Sequence, residues 1–378
     1  MLELKVIEKI RREGPLTFEC FMEMALYDEE FGYYMREATR IGREGDFYTG
    51  SHLHPVFGIS IGRQIEEMWE LIGRPANFSI VEMGAGEGYV CGDMLGGLMN
   101  SDFFDSLNYN IIERNPAMRA RQKKALHRFS HKIKWFSTIN DLSGITGCIF
   151  SNELLDAFPV HIVQMKSGLK EVYVTVDDDV IKEVLVPPGT DDLEEYFREN
   201  SAGLQEGYRT EANLRARQWL EDVSNSLARG FVMTIDYGYS SRDYYFQDRN
   251  RGTLVCYHRH QVNDDPYRFI GEQDISAHVN FTSVKKWGEQ FGLNTIGFCS
   301  QSAFLISLGI TEAIERLAAT SADYLFELAR IKKLILPGGM GESHQVLVQV
   351  KGDNDLKLKG FTMKNRVEYL DRRPEAYL

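Results

Sequence analysis

Four short segments carry residues whose types and spacing could do chemistry. The run Glu82-Met83-Gly84-Ala85-Gly86-Glu87-Gly88 sets three glycines at alternate positions, with carboxylates before and within it. Glycine lets a backbone approach a ligand closely, and an acid beside such a turn favours a cationic group. Glu113 stands 27 residues beyond Gly86, and an acid there can accept hydrogen bonds from both hydroxyls of a ribose. Asn152-Glu153 and Asp156 place an amide and two carboxylates close together. At helical spacing Glu153 and Asp156 share a face and can converge on one cation; the plainer alternative is acids favouring a helix N-terminus. In Asp236-Tyr237-Gly238-Tyr239 an acid beside aromatic rings can hold a cation through charge and ring faces, or the segment is a turn with core tyrosines. The pairs His52-x-His54 and His258-x-His260 have the alternation of strand-borne metal ligands. Neither has a Cys or carboxylate partner at standard spacing apart from Cys256, so no metal is expected.

The glycine loop follows the apolar run Phe78 to Met83 and precedes a helical stretch, which is the context such a loop needs. A phosphate-cradling loop requires Gly-Lys-Ser/Thr, which is absent. A dinucleotide site wants a third glycine where Tyr89 stands, and that ring would crowd the helix against the strand. The spacing Glu82-x-Gly84-x-Gly86-x-Gly88 resembles motif I of the class I S-adenosylmethionine-dependent methyltransferases. Their donor is cationic and carries no phosphate, so a loop with acids and no lysine suits it.

The elements that must position these residues follow from periodicity. Val6, Ile7 and Ile10 form a helical stripe that Gly14-Pro15 stops; Thr17 can cap a second helix to about Tyr27, and Pro55 can open a third to about Ile72. Apolar runs at Phe78–Met83, Tyr109–Ile112, Cys148–Ser151 and Phe231–Ile235 each end in polar groups, with helical stretches such as Pro116 to His127 between them. Short apolar strands alternating with helices predict a parallel sheet covered on both faces. Ligands of such sheets bind beyond the carboxyl ends of the strands, which is where all four polar groups stand. Residues 160 to 190 alternate apolar and polar with turn signals at Ser167-Gly168 and Asp177 to Asp179, and predict an antiparallel excursion. Helices are expected over about 212–229 and 281–292, and a last strand at His344 to Val350.

With 378 residues the chain has room for two or three domains or one enlarged one. The expected division is an N-terminal helical extension (1–75), a core (76–350) with an insertion near 160–215 and a helical segment near 300–336, and a C-terminal tail (351–378). Hydrophobic residues at 43% and charged ones at 26% are ordinary globular usage, which excludes disorder, collagen and coiled coil. A net charge of −12 disfavours nucleic acid as a partner. No apolar run approaches a membrane helix, and the charged N-terminus lacks the apolar centre of a secretory signal. Five scattered cysteines without a CxxC fit free buried thiols in a reducing compartment, so a cytoplasmic location is expected.

The assembled segments give a more specific likeness. The stretch FGYYM with GDFYTG, then VEMGAGEG, SNELLDAFPV and GTLVCYHRHQVNDDPYRFIGEQDISAHVNF span Phe31 to Phe281, and together they resemble the MidA-like methyltransferases. The resemblance implies a Rossmann-like methyltransferase sheet with added N-terminal helices and an inserted antiparallel β/helical lobe. It implies S-adenosylmethionine as methyl donor and a protein arginine as acceptor, since mitochondrial relatives dimethylate an arginine of a respiratory complex I subunit. Carried over by position, Gly84, Gly86, Glu113 and Asn152 would contact the donor, with Glu82, Ala85 and Gly88 completing the loop. Glu153 would clamp a guanidinium, with Asp156 or Asp236 as second carboxylate. One departure stands out: the family carries Pro-Glu after the threonine of GDF-x-T, where this chain has Gly50-Ser51-His52. Two alternatives share the scaffold: methylation of a small molecule or other side chain, and a non-catalytic assembly factor that keeps the donor pocket.

Overall fold

The structure, a computed structural model, describes residues 1–36, 53–201 and 203–374. The GDFYTG segment, the departure at Gly50-Ser51-His52 and the His52 half of the first histidine pair lie outside the described residues.

The chain opens with helix α1 (Leu2–Glu13), a short strand β1 (Leu16–Thr17) and helix α2 (Phe18–Tyr27). Gly14 ends α1 at φ 88°, and the Thr17 hydroxyl accepts the Cys20 N–H to cap α2, both as the sequence signals predict. Helix α3 (Val56–Leu71) leads into strand β2 (Phe78–Met83), helix α4 (Tyr89–Leu98), strand β3 (Leu107–Ile112), helix α5 (Pro116–Ala125), strand β4 (Ile133–Phe136) and strand β5 (Ile145–Asn152). The antiparallel excursion is β6 (His161–Met165), β7 (Leu169–Asp177), β8 (Val180–Val186) and β9 (Arg209–Ala212), with helix α6 (Asp191–Asn200) between the last two. Helix α7 (Arg215–Ser226) returns to β10 (Leu227–Tyr239). The short strands β11 (Val255–His258), β12 (Gln261–Asn263), β13 (Asp274–Ser276) and β14 (Val279–Asn280) follow, then helix α8 (Phe281–Gln290), strand β15 (Asn294–Ser300), helices α9 (Gln301–Ser307), α10 (Ile310–Thr320) and α11 (Tyr324–Ile335), and strand β16 (His344–Lys351).

The principal sheet runs β15-β16-β10-β5-β2-β3-β4, with β14 against the end of β10. From β4 to β10 all neighbours are parallel; β16 is antiparallel between β10 and β15. Alternate residues of β2 and β5 face opposite sides, so Phe78, Ile80, Cys148 and Phe150 pack under α3 and α4, while Val81, Met83 and Ile149 pack under α7 and α8. Burial on both faces explains why these strands read as continuous apolar runs. From β2 the chain moves outward through β3 to β4, then crosses back to β5 on the other side of β2. This reversal opens a crevice at the carboxyl ends of β2 and β5, where the glycine loop and Asn152-Glu153 stand. The N-terminal segment does not stand apart: β1 pairs with β7, and α1 and α2 pack their apolar stripe on β6 and β7.

Candidate active site

A cavity of about 590 Å³ lies at this crevice. Its lining includes Glu82, Gly84, Ala85, Gly86, Glu113, Asn152 and Glu153, which the structure therefore brings together from the ends of three strands. The loop after β2 is wound tightly: Gly84, Gly86 and Gly88 have φ of 72°, 53° and 84°, values that L side chains rarely adopt. Gly88 does not line the cavity; it caps α4 in the left-handed conformation, with Leu126 where a Cβ would point.

Glu82 lies under the loop, buried, and its Oε2 accepts the Tyr109 hydroxyl at 2.7 Å. Burial pushes its carboxyl up to about 7. Glu113 is also raised, by burial first, while the Asn115 N–H at 2.8 Å and the Gln122 amide at 3.2 Å pull the other way. Gln122 escaped the sequence reading, yet it ties the site together. Its Nε2 donates both to the Gly86 carbonyl at 2.8 Å and to Glu113 Oε2, and its Oε1 accepts from Trp135 Nε1 at 3.1 Å. Each of its polar atoms has a partner, which is what a fully buried amide requires. Only the packing of α5 against the loop could reveal this role, because nothing in the spacing of Gln122 marks it.

The Asn152 to Asp156 segment differs from expectation. Glu153 adopts φ 51°, and residues Leu155–Ala157 form a single 3-10 turn, so Glu153 and Asp156 do not share a helix face. Glu153 lines the cavity; Asp156 and Asp236 do not. Asp236 is buried beneath the turn, where Oδ2 accepts the Leu154, Leu155 and Asp156 N–H groups at 3.2, 2.9 and 3.4 Å, and Oδ1 accepts the Tyr237 N–H. It anchors the backbone that follows Glu153 and lies outside the cavity lining. Asp156 Oδ2 accepts the Tyr237 hydroxyl at 2.5 Å, and burial together with Asp236 holds this carboxyl far above its ordinary range. Tyr239, expected beside a ligand cation, already carries the Arg249 guanidinium 3.9 Å from its ring centroid.

The remaining walls come from distant sequence. Tyr27 and Tyr34, stacked at 5.6 Å, line one side. The Tyr27 hydroxyl donates to the Ala157 carbonyl, and Tyr34 donates to Asp274 Oδ1 at 2.6 Å. Ser137 and Thr138 after β4, and Trp219 on α7, close the other side. The ionisable lining is mostly acidic: Glu23, Glu82, Glu87, Glu113, Glu153 and Asp222 against Arg114 and Arg215. Glu87 and Arg215 are partly neutralised by Arg121 and Glu19. The cavity thus suits a ligand with positive charge. Of the histidines, His54 accepts the Val56 N–H and faces Glu327 at 3.0 Å, and His258 stacks on Phe269. Among the described residues no cluster of three His, Cys, Asp or Glu could hold a metal.

Residues 60–299 match the family model of S-adenosyl-L-methionine-dependent methyltransferases. The chain belongs to this family. A protein from Burkholderia thailandensis crystallised with S-adenosyl-homocysteine superposes with a TM-score of 0.90 at 30% identity, covering 98% of this chain and 96% of that one. The mitochondrial protein arginine methyltransferase NDUFAF7 of Bos taurus is 26% identical over 375 residues, 91% of this chain and 82% of its own length. The Caenorhabditis elegans homologue is 26% identical over 392 residues, 95% and 85% of the two chains. The methyltransferase fold and the use of S-adenosylmethionine are thereby established for this chain. The cytoplasmic location expected from the thiols and the N-terminus is overturned, because the curated relatives are named as mitochondrial proteins. No described helix is long and apolar enough to cross a membrane.

The residues at the crevice fit the donor on two independent grounds. Asn152 Oδ1 is buried without a hydrogen-bond partner, an acceptor available to a ligand N–H. The glycine loop packs closely on the cavity wall: a Cβ on Gly84 would come within 2.9 Å of Cδ1 of Leu154, which also lines the cavity.

Proposed function

We propose that this methyltransferase modifies an arginine side chain of a protein, and that a respiratory complex I subunit is the acceptor to test first. The observation that carries the reading is the placement of Glu153: a buried carboxylate on strained backbone, at the mouth of β5, facing the same acidic cavity as the glycine loop. Support also comes from the curated relatives, which are named protein arginine methyltransferases.

In this reading the backbone of Gly84 to Gly86 and the Glu113 carboxylate hold the donor, with the Asn152 amide beside them. When bound, S-adenosylmethionine supplies a methyl group on a positively charged sulfur, already a good leaving group. What the chain must add is position and a nucleophile. A guanidinium is cationic at ordinary pH and nucleophilic only weakly. Glu153 accepts its N–H groups and so localises electron density on the nitrogen that attacks; the methylated nitrogen then gives up one proton to solvent, which leaves the product guanidinium with a single positive charge. The Asp236 carboxylate under residues 154–156 fixes the turn, so that Glu153 keeps its place through the reaction.

Glu153→Gln is the direct test. It preserves size and removes the charge, so S-adenosyl-homocysteine should bind as to wild type. Transfer should slow on the order of a hundredfold, from losing a charge-assisted contact of about 2–3 kcal/mol. Mass spectrometry of proteins methylated with labelled donor identifies the acceptor side chain. Label on lysine, carboxyl groups or metabolites alone would refute the arginine reading.

A further inference from the structure

We propose that Arg114 binds the carboxylate at the amino-acid end of the donor, so that the cavity prefers a nucleoside carrying an amino acid over the nucleoside alone. The proposal is independent of the reading of Glu153 and rests only on the use of S-adenosylmethionine.

S-adenosylmethionine carries two cationic groups, the sulfonium and the ammonium, and one carboxylate. The six acidic side chains around the cavity suit the first two and repel the third. A carboxylate enters such a lining only where a cation or a set of N–H donors faces it. Two arginines line the cavity, Arg114 and Arg215. Arg215, at the start of α7, already donates through Nε to the Glu19 carboxylate. Arg114 pairs with no carboxylate among the described residues; its side chain lies against the Tyr27 ring.

That contact presents the guanidinium and leaves its donors unused. Arg114 follows Glu113 directly at the end of β3. Its Cζ stands 5.4 Å from the centroid of the Tyr27 ring, which also lines the cavity. The ring is a fixed platform: it stacks on Tyr34 at 5.6 Å, and its hydroxyl donates to the Ala157 carbonyl at 2.9 Å. Asn115 Nδ2 donates to the Tyr34 carbonyl at 2.8 Å, tying the platform to the same end of β3. A guanidinium held over a ring face keeps its N–H groups around the rim of its own plane, where a carboxylate can take two side by side. Arg249, over Tyr239, differs on both counts: Nη1 donates to the Asp243 carbonyl, and the residue lies outside the cavity lining.

The test compares two probes by calorimetry. S-adenosyl-homocysteine has the amino-acid end; methylthioadenosine keeps the nucleoside and the sulfur and lacks that end. We expect Arg114→Met to weaken S-adenosyl-homocysteine binding about tenfold and to leave methylthioadenosine affinity unchanged. Losing a cation can only favour the ligand's ammonium group, so the loss reports the carboxylate. Arg114→Lys should restore part of the affinity, because it keeps the charge without the planar fork. Arg114 is exposed, so unliganded variants should melt as wild type does. Equal weakening of both probes would place Arg114 at the nucleoside or in the fold. Unchanged binding of both would leave the carboxylate to the N–H groups of the glycine loop. Either result overturns the proposal, while binding of S-adenosyl-homocysteine by wild type keeps the donor assignment standing.

Discussion

Replacing Gln122 with methionine should cost this enzyme its donor before it costs the fold. The substitution nearly conserves volume but deletes three hydrogen bonds at once: to the Gly86 carbonyl, to Glu113 Oε2 and from Trp135 Nε1. Two are neutral, at about 1 kcal/mol each, and the one to a carboxylate is worth about 1.5–3 kcal/mol. Gly86 and Glu113 are only partly buried, so water can recover part of this. The net loss should be about 2–4 kcal/mol. Since Gln122 bridges Gly86 and Glu113, both of which line the cavity, most of the loss should appear as weaker binding. Calorimetry with S-adenosyl-homocysteine should then show affinity down on the order of thirtyfold or more, with a smaller effect on denaturant melts of the unliganded protein. Gln122→Glu sharpens the test. It keeps an acceptor for Trp135 but turns a carboxylate oxygen toward the Gly86 carbonyl and Glu113. That repulsion raises the affinity of the introduced group for a proton, so binding should recover as pH falls. Wild-type affinity in Gln122→Met, or a Gln122→Glu defect that does not respond to pH, would refute the reasoning.

Three further outcomes follow from single positions. Glu82 titrates at about 7 in the fold against an ordinary 4.5, so the folded state binds its proton more tightly and stability falls as pH rises through that window. Glu82→Gln keeps an acceptor for Tyr109 and removes the penalty; its stability relative to wild type should improve between about pH 5 and about pH 8 by on the order of 3 kcal/mol, and parallel melting curves at the two pH values would contradict the assignment. Gly84→Ala meets φ 72° and Leu154 Cδ1 at 2.9 Å; it should cost about 1–2 kcal/mol and weaken S-adenosyl-homocysteine binding, and a variant that matches wild type in both would mean the loop has more room than its geometry allows. Elemental analysis of untagged protein should find no stoichiometric zinc, since His54 is engaged by Val56 and Glu327; one zinc per chain lost on His54→Ala would reverse that view.

Local rules fixed much of this protein before any fold was in hand. The apolar runs that became β2, β3, β5 and β10 are legible because a strand buried on both faces must be apolar throughout, and the polar ends of those runs mark the crevice. Thr17, Gly14 and the turn at Ser167-Gly168 act through bonds to their immediate neighbours, so their signals survive without context. The glycine loop is likewise local: φ at Gly84, Gly86 and Gly88 is a property of three residues. The strands β4, β9 and β15 were less visible, being short or only half-buried.

What only tertiary structure decided is which side chain meets which. Glu153, Asp156 and Asp236 look alike in sequence, and all were candidates for one role. The backbone at Glu153 turns left-handed, the next residues tighten into a 3-10 turn, and Asp236 passes beneath to bind three of their N–H groups. One carboxylate reaches the cavity and two become its support. Gln122 and Tyr34 join the site from α5 and the N-terminal segment. No spacing rule connects them, because their contacts are set by the order in which strands lie in the sheet and not by their order in the chain.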